Sequence, residues 1–263
     1  MTPSPPRTTA LRLAVDGPIG RVTLARPEKL NALSRVLLEE LTEAASWFDD
    51  QPAVKVVVVS GEGRSFCAGF DLIDPSWSEP GSLAQSAETG RAMAESIGSM
   101  QAITVASIRG SCIGGGVVIA SACDLRIASA AARFRIPEAE LGIPLFWTGV
   151  PRLTRELGPA LTKELILTAR WFDAEEARSV RFVNRVVSDD ALAEETDGLA
   201  AELAAKPALA LRTTKQQVEA AAPPVPTLDP GSAADVAAFG AALHDSEGQT
   251  VAAAYLRSLT SPT

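Results

Sequence analysis

The sequence predicts an α/β fold built on a parallel sheet. Residues 54–60 contain four consecutive valines, Val56, Val57, Val58 and Val59, and residues 103–108 form a second unbroken apolar run. A β-branched run without alternation fits a strand buried on both faces, as in a parallel sheet covered by helices. Between such runs lie segments with helical spacing, and strand–helix–strand alternation implies βαβ units with right-handed crossovers.

The elements follow in order. After a Pro-rich start, residues 11–15 and 21–24 predict two short strands, with turn chemistry between them in Asp16-Gly17-Pro18-Ile19-Gly20. Residues 34–49 place Leu37, Leu38, Leu41, Ala44, Ala45 and Phe48 at helical spacing, with acidic residues on the other face. The valine strand ends at Gly61-Glu62-Gly63. Residues 74–85 predict a polar loop, 87–100 a helix and 103–108 a strand. Arg109-Gly110 and Gly114-Gly115-Gly116 come next, then a buried helix over 117–123 and a strand over 124–128. From Gly149 the pattern turns helical, over 150–157, 159–168, 174–179, 190–205 and 207–222, with one strand at 183–187. Pro223-Pro224-Val225-Pro226 precedes an Ala-rich helical region, 233–258. That region is too short to stand alone, so it is expected to dock on its own core or on a neighbouring subunit. No internal repeat is visible.

Composition narrows the function. The 263 residues suffice for one or two domains, and 46% apolar against 21% charged residues excludes disorder as the main state. A net charge of −8 argues against nucleic acid as a partner, because phosphate binding needs dense Lys and Arg. The apolar stretch 111–123 is shorter than the roughly 20 residues a membrane span requires. The Pro-rich start has no apolar signal region. The three cysteines, Cys67, Cys112 and Cys123, are odd in number and unpaired in spacing, which fits reduced buried thiols and a cytoplasmic setting. His244 is the only histidine, which disfavours zinc sites and Ser-His-Asp or Cys-His nucleophiles. No metal is expected. Chemistry must rest on carboxylates, backbone dipoles or Lys and Arg.

Two glycine clusters follow buried strands: Ser65-Phe66-Cys67-Ala68-Gly69-Phe70-Asp71-Leu72 and Gly114-Gly115-Gly116. Neither fits a P-loop or a dinucleotide fingerprint. They serve either tight turns and close helix packing, or an oxyanion hole made by two converging backbone N–H groups. Further on, Glu138 lies in Phe134-Arg135-Ile136-Pro137-Glu138-Ala139-Glu140-Leu141-Gly142-Ile143-Pro144. It is either a solvated loop residue or, in apolar surroundings, a carboxyl of raised pKa suited to proton transfer.

Together these segments, with Arg26-Pro27-Glu28-Lys29-Leu30-Asn31-Ala32-Leu33 and Cys123-Asp124, resemble the crotonase, or enoyl-CoA hydratase/isomerase, superfamily from about residue 11 to the C-terminus. The resemblance implies a spiral of ββα repeats over residues 10–200 and a helical C-terminal region, 201–263, that builds a homotrimer or a dimer of trimers. It implies an acyl-CoA thioester substrate and no cofactor, coenzyme A being part of the substrate. The thioester oxygen would be held by the backbone N–H groups of Phe70 and Gly115. Lys29, Leu30 and Ala32 would line the CoA arm, and Ala68, Gly69, Asp71, Leu72 and Pro137 would complete the substrate site. Arg26, Lys29 and Arg64 are the candidate cations for the CoA phosphates.

The sequence also departs from the family pattern. Hydratases of the family hold a water between two glutamates. One position matches Glu138, but the other, three residues after Gly115, is Val118. Isomerases that move a double bond with one carboxylate match better, so isomerisation with Glu138 as proton shuttle is expected ahead of hydration or of non-catalytic acyl-CoA binding. Glu140 is the reserve carboxylate. Phe146 stands where some relatives carry a catalytic Asp, which disfavours dehalogenase and dienoyl isomerase chemistry. With Trp147 it either reshapes the acyl pocket or packs the core.

Overall fold

The main layer of the fold is a six-stranded sheet of spatial order β1-β2-β3-β4-β6-β9. Its members are β1 (Leu11–Asp16), β2 (Ile19–Leu24), β3 (Val56–Gly61), β4 (Ile103–Ile108), β6 (Leu125–Ser129) and β9 (Arg185–Val187). The first two are an antiparallel hairpin, and every later pairing is parallel. A second layer holds β5 (Ser111–Ile113), β7 (Arg133–Arg135) and β8 (Phe172–Asp173). Parallel bridges between Leu33 and Phe70 and between Cys67 and Cys112 continue this layer. Each of β2, β3, β4 and β6 therefore hands the chain to a short segment of the second layer before the next turn of the spiral. The coordinates are a computed structural model that describes residues 4–77, 82–222 and 238–260 apart from 239 and 243. The proline break at 223–226 and the start of the last helical region, 233–237, lie outside the described residues.

The valine run is buried on both faces, as its composition predicts. Val57 and Val59 join the main core, with Leu37, Leu41 and Phe48 of α1 (Arg35–Asp49). Val56 and Val58 face the other way, with Val105 and Ile127, against Leu192, Leu199 and Ala200 of α7 (Leu192–Ala204). Each fully buried valine contributes roughly 1.5–3 kcal/mol of burial free energy, so this strand anchors both layers. Helix α1 starts where the Ser34 hydroxyl accepts from the Leu37 N–H at 3.2 Å, an N-cap. Helix α3 (Gly115–Ala122) is buried on all sides, and its residues are correspondingly apolar or small.

Two sequence expectations need correction. Helix α2 (Ser82–Ser99) begins at Ser82, inside the segment expected as a loop over 74–85. Its first turn lacks the apolar period that would reveal it, although Leu, Ala and Gln are ordinary helix formers. The second strand layer went unread because its strands are two or three residues long, too short to display a period. The later helices agree closely with the expected spans: α4 (Gly149–Leu157), α5 (Pro159–Thr168), α6 (Ala174–Ser179) and α8 (Ala208–Ala221); within the last expected region, 233–258, helix α9 (Ser246–Thr260) occupies the second half and runs two residues past its end. Lys215 of α8 donates to the Asp124 carboxylate at 2.8 Å and to the Ala102 carbonyl at 3.2 Å, which fixes this helix over the ends of β4 and β6. Among the described residues no helix is long and apolar enough to cross a membrane.

Candidate active site

The site forms where the second layer passes into helices: Phe70 precedes α2, Gly115 opens α3, and Glu138 follows β7. Parallel hydrogen bonds hold the first two segments side by side. Phe66 N–H donates to the Arg109 carbonyl at 2.7 Å, Cys67 N–H to Ser111 at 3.0 Å, and Ile113 N–H to Cys67 at 2.9 Å. On its other flank the loop is tied to the Lys29–Leu33 segment, through Ala68 N–H to the Leu30 carbonyl and Leu33 N–H to the Gly69 carbonyl. Two positions require glycine. Gly69 has φ +90° and Gly114 φ +49°, conformations L side chains rarely adopt. A Cβ on Gly69 would also lie 2.9 Å from the Ile113 carbonyl oxygen. As the first residue of α3, Gly115 presents its N–H at the positive end of the helix, with no carbonyl four residues back to accept it inside the helix.

Asn31 had no assigned role in the motif, and the structure supplies one. Its side chain is fully buried. The amide oxygen accepts from Arg26 N–H at 3.0 Å, and the amide nitrogen donates to the carbonyls of Glu62 and Ser65 at 2.9 and 2.8 Å. The Asn31 backbone adopts φ +56°, which Asn tolerates better than most residues. Asn31→Ala would orphan one buried and two partly buried backbone groups and is expected to cost about 2 kcal/mol or more, read as a lower midpoint in urea denaturation.

Glu138 begins a 3-10 turn, Glu138–Leu141, behind Pro137, which is also buried. Its carboxyl packs on Gly114, where a Cβ would meet Oε1 at 2.4 Å. The other oxygen, Oε2, is buried without a hydrogen-bond partner. Burial pushes the pKa up to about 7, a hydrogen bond from its own backbone lowering it only partly. The carboxyl lines a cavity of about 30 Å³ with Phe70, Ser86, Gly115, Ile143, Leu145, Phe146 and Trp147. That is room for about one water. Of these, Ser86, Ile143 and Leu145 were not singled out by the sequence; Ser86 falls between the expected loop, 74–85, and the expected helix, 87–100.

Val118 lies one turn into α3, fully buried and apolar in its surroundings: a Cβ on Gly149 would touch its methyl at 2.8 Å and Leu145 at 2.9 Å. Among the described residues Glu138 is thus the one carboxyl lining this cavity. Glu140 turns away, half exposed, into an ion pair with Arg135 at 2.5 Å.

The remaining residues lie on the outer side. Asp71 is buried and pairs with Arg26 at 2.9 Å, so each charge is neutralised by the other. Lys29 and Asp71 line a separate cavity of about 450 Å³ with Arg26, Ser34 and Asp74. Lys29 and Arg64 are exposed and make no ion pair among the described residues. Leu30, Ala32, Ala68 and Leu72 are half-buried along the same two segments. The three cysteines are free and buried, and desolvation raises the Cys67 and Cys123 thiols to about 12, which makes them inert.

A buried carboxyl beside a glycine-shaped loop and the N-terminus of α3 is an arrangement that can serve a carbonyl compound acquiring negative charge on oxygen. The family model for enoyl-CoA hydratase/isomerase matches residues 15–260. The chain is 34% identical to a protein of Mycobacterium bovis named probable enoyl-CoA hydratase echA8, over 78% of this chain and 79% of the relative. It is also 34% identical to the crotonyl-CoA hydratase of Syntrophomonas wolfei, over 72% and 74%. A Thermobifida fusca protein solved in complex with CoA superposes with a TM-score of 0.74 at 32% identity, covering 95% of this chain and 94% of that one. The chain belongs to the enoyl-CoA hydratase/isomerase family and has the crotonase fold.

Proposed function

We propose that the protein isomerises a 3-enoyl-CoA to the 2-enoyl-CoA, with Glu138 as the only proton carrier. The observation that supports this most is that Glu138 is the one carboxyl among the described residues lining this small cavity, while Val118, at the second hydratase position, is buried and apolar. The thioester oxygen accepts from the N–H groups of Phe70 and Gly115. The Glu138 carboxylate removes a proton from C2, and the electron pair spreads over the oxygen, C1, C2, C3 and C4. The resulting carboxylic acid returns that proton to C4, leaving the double bond between C2 and C3. No water is consumed, and no charge is left over. A pKa near 7 suits a group that acts as base and then as acid.

Binding in this proposal follows the same two segments. Lys29, Leu30, Ala32, Ala68, Gly69, Asp71, Leu72 and Pro137 form the substrate site, Asp71 by holding Arg26 in place and Lys29 as a surface cation for CoA phosphate. The CoA complex of the Thermobifida fusca protein supports CoA as the common ligand. The proposal further includes a spiral core over 10–200, a helical assembly region over 201–263, a homotrimer or homohexamer, no cofactor, and a cytoplasmic location.

A second reading, hydration of a 2-enoyl-CoA, is favoured by the names of the relatives. It lacks a second acid at Val118 to hold and split the water. The deciding experiment supplies purified protein with a trans-3-enoyl-CoA and, separately, a trans-2-enoyl-CoA. Conversion of the first without hydration of the second is the expected result. Robust hydration would overturn the isomerase assignment, and tight binding of both without turnover would favour a non-catalytic acyl-CoA-binding protein.

A further inference from the structure

Trp147 is held more rigidly than a packing residue needs to be. Its backbone and that of Thr148 both lie in the left-handed region, at φ +61° and +59°. Two such residues in a row are strained and persist only where the surroundings over-determine them. The indole N–H donates to the Ser86 carbonyl of α2 at 3.0 Å. The ring presses on two helices that lack a side chain at the point of contact. A Cβ on Gly90 would lie 2.0 Å from the indole, and one on Gly115 would lie 2.4 Å from it. Phe70 meets it edge to face, with centroids 5.9 Å apart. The ring therefore spans from α2 to the residue whose N–H faces the thioester.

The same ring forms a wall of the cavity beside Glu138. The polar lining is the Glu138 carboxyl, Ser86 and Gly115; the remainder is Phe70, Ile143, Leu145, Phe146 and Trp147. A thioester that places its oxygen at the two N–H groups and C2 at Glu138 must send its acyl tail toward this apolar side. At about 30 Å³ the space there is small, and among the described residues the indole is the largest side chain lining it.

We propose that Trp147 is the stop of the acyl pocket and restricts the protein to short-chain acyl-CoA thioesters, of about four carbons. This rests on the reading of the site as an acyl-CoA site, but not on which reaction it performs. Removing the indole would open a channel between Gly90 and Gly115 that admits a longer chain.

Binding tests this without turnover. Titration calorimetry with butyryl-CoA, octanoyl-CoA and free CoA is made on the wild type, Trp147→Ala and Trp147→Leu. The leucine variant keeps apolar packing should the alanine variant not fold. The wild type is expected to bind butyryl-CoA at least about tenfold tighter than octanoyl-CoA, a fold-change in line with the modest discrimination each methylene provides. In either variant octanoyl-CoA gains at least about tenfold, and the preference narrows or reverses. Equal binding of the two chains by the wild type, or an unchanged preference in a folded variant, overturns the proposal and leaves Trp147 as core packing. Absence of binding by any CoA compound overturns the acyl-CoA reading itself, and the proposal with it.

Discussion

Glu138→Gln is expected to lower turnover of a trans-3-enoyl-CoA by about 10²–10⁴, the usual contribution of a positioned acid/base, while thioester affinity stays within a few-fold. Glutamine keeps the size of the side chain and its place on Gly114 but carries no transferable proton. The Phe70 and Gly115 N–H groups are backbone and survive the change, so the variant retains what the oxyanion site contributes to binding. The wild type should also show kcat/KM rising with pH and levelling above about 7, because the base must be ionised and burial has raised its pKa to about 7. The residual rate of the variant should lose that inflection. Steady-state kinetics over pH 5.5–9 read both effects. A variant within tenfold of wild type, or one that keeps the inflection, would mean that Glu138 is not the proton carrier.

Much of the fold was legible because its central strands are long and extreme in composition. Val56 to Val59 can be little other than a doubly covered strand, and the spacing of Leu37, Leu41 and Phe48 leaves one face for α1. The second layer was not legible. A strand such as Arg133–Arg135 is defined by its neighbours, Ser111–Ile113, and not by its own three residues. The site was legible where a special backbone demanded glycine, at Gly69 and Gly114, and where a carboxylate stood in an apolar segment. Sequence left Glu140 open, and geometry places it on Arg135, away from the site; it also gave no sign that Asp71, assigned to the substrate site, meets Arg26. Such pairings join residues up to 45 positions apart, and only the folded register decides them.

The same glutamine substitution should stabilise the protein at alkaline pH. Folding raises the Glu138 pKa from the ordinary 4.5 to about 7, so the native state holds its proton over a range in which the unfolded chain has released it. Stability is then fully present below pH 4.5 and falls as pH rises toward 7. At about 1.4 kcal/mol per pH unit, the total loss is about 3 kcal/mol. The protein's isoelectric point is near 4.9, so the practical window is pH 5.5 to 8, where about 2 kcal/mol of that loss takes place. Glutamine has no charge to desolvate, and its stability should lack this fall. Urea denaturation at the two pH values should therefore show Glu138→Gln gaining about 2 kcal/mol on wild type between pH 5.5 and 8. A purely structural glutamate would behave the opposite way, its loss destabilising the fold at every pH. A variant that is both inactive and more stable at high pH places the cost of burying this carboxyl where the chemistry uses it; a variant destabilised equally at both pH values would refute the raised pKa.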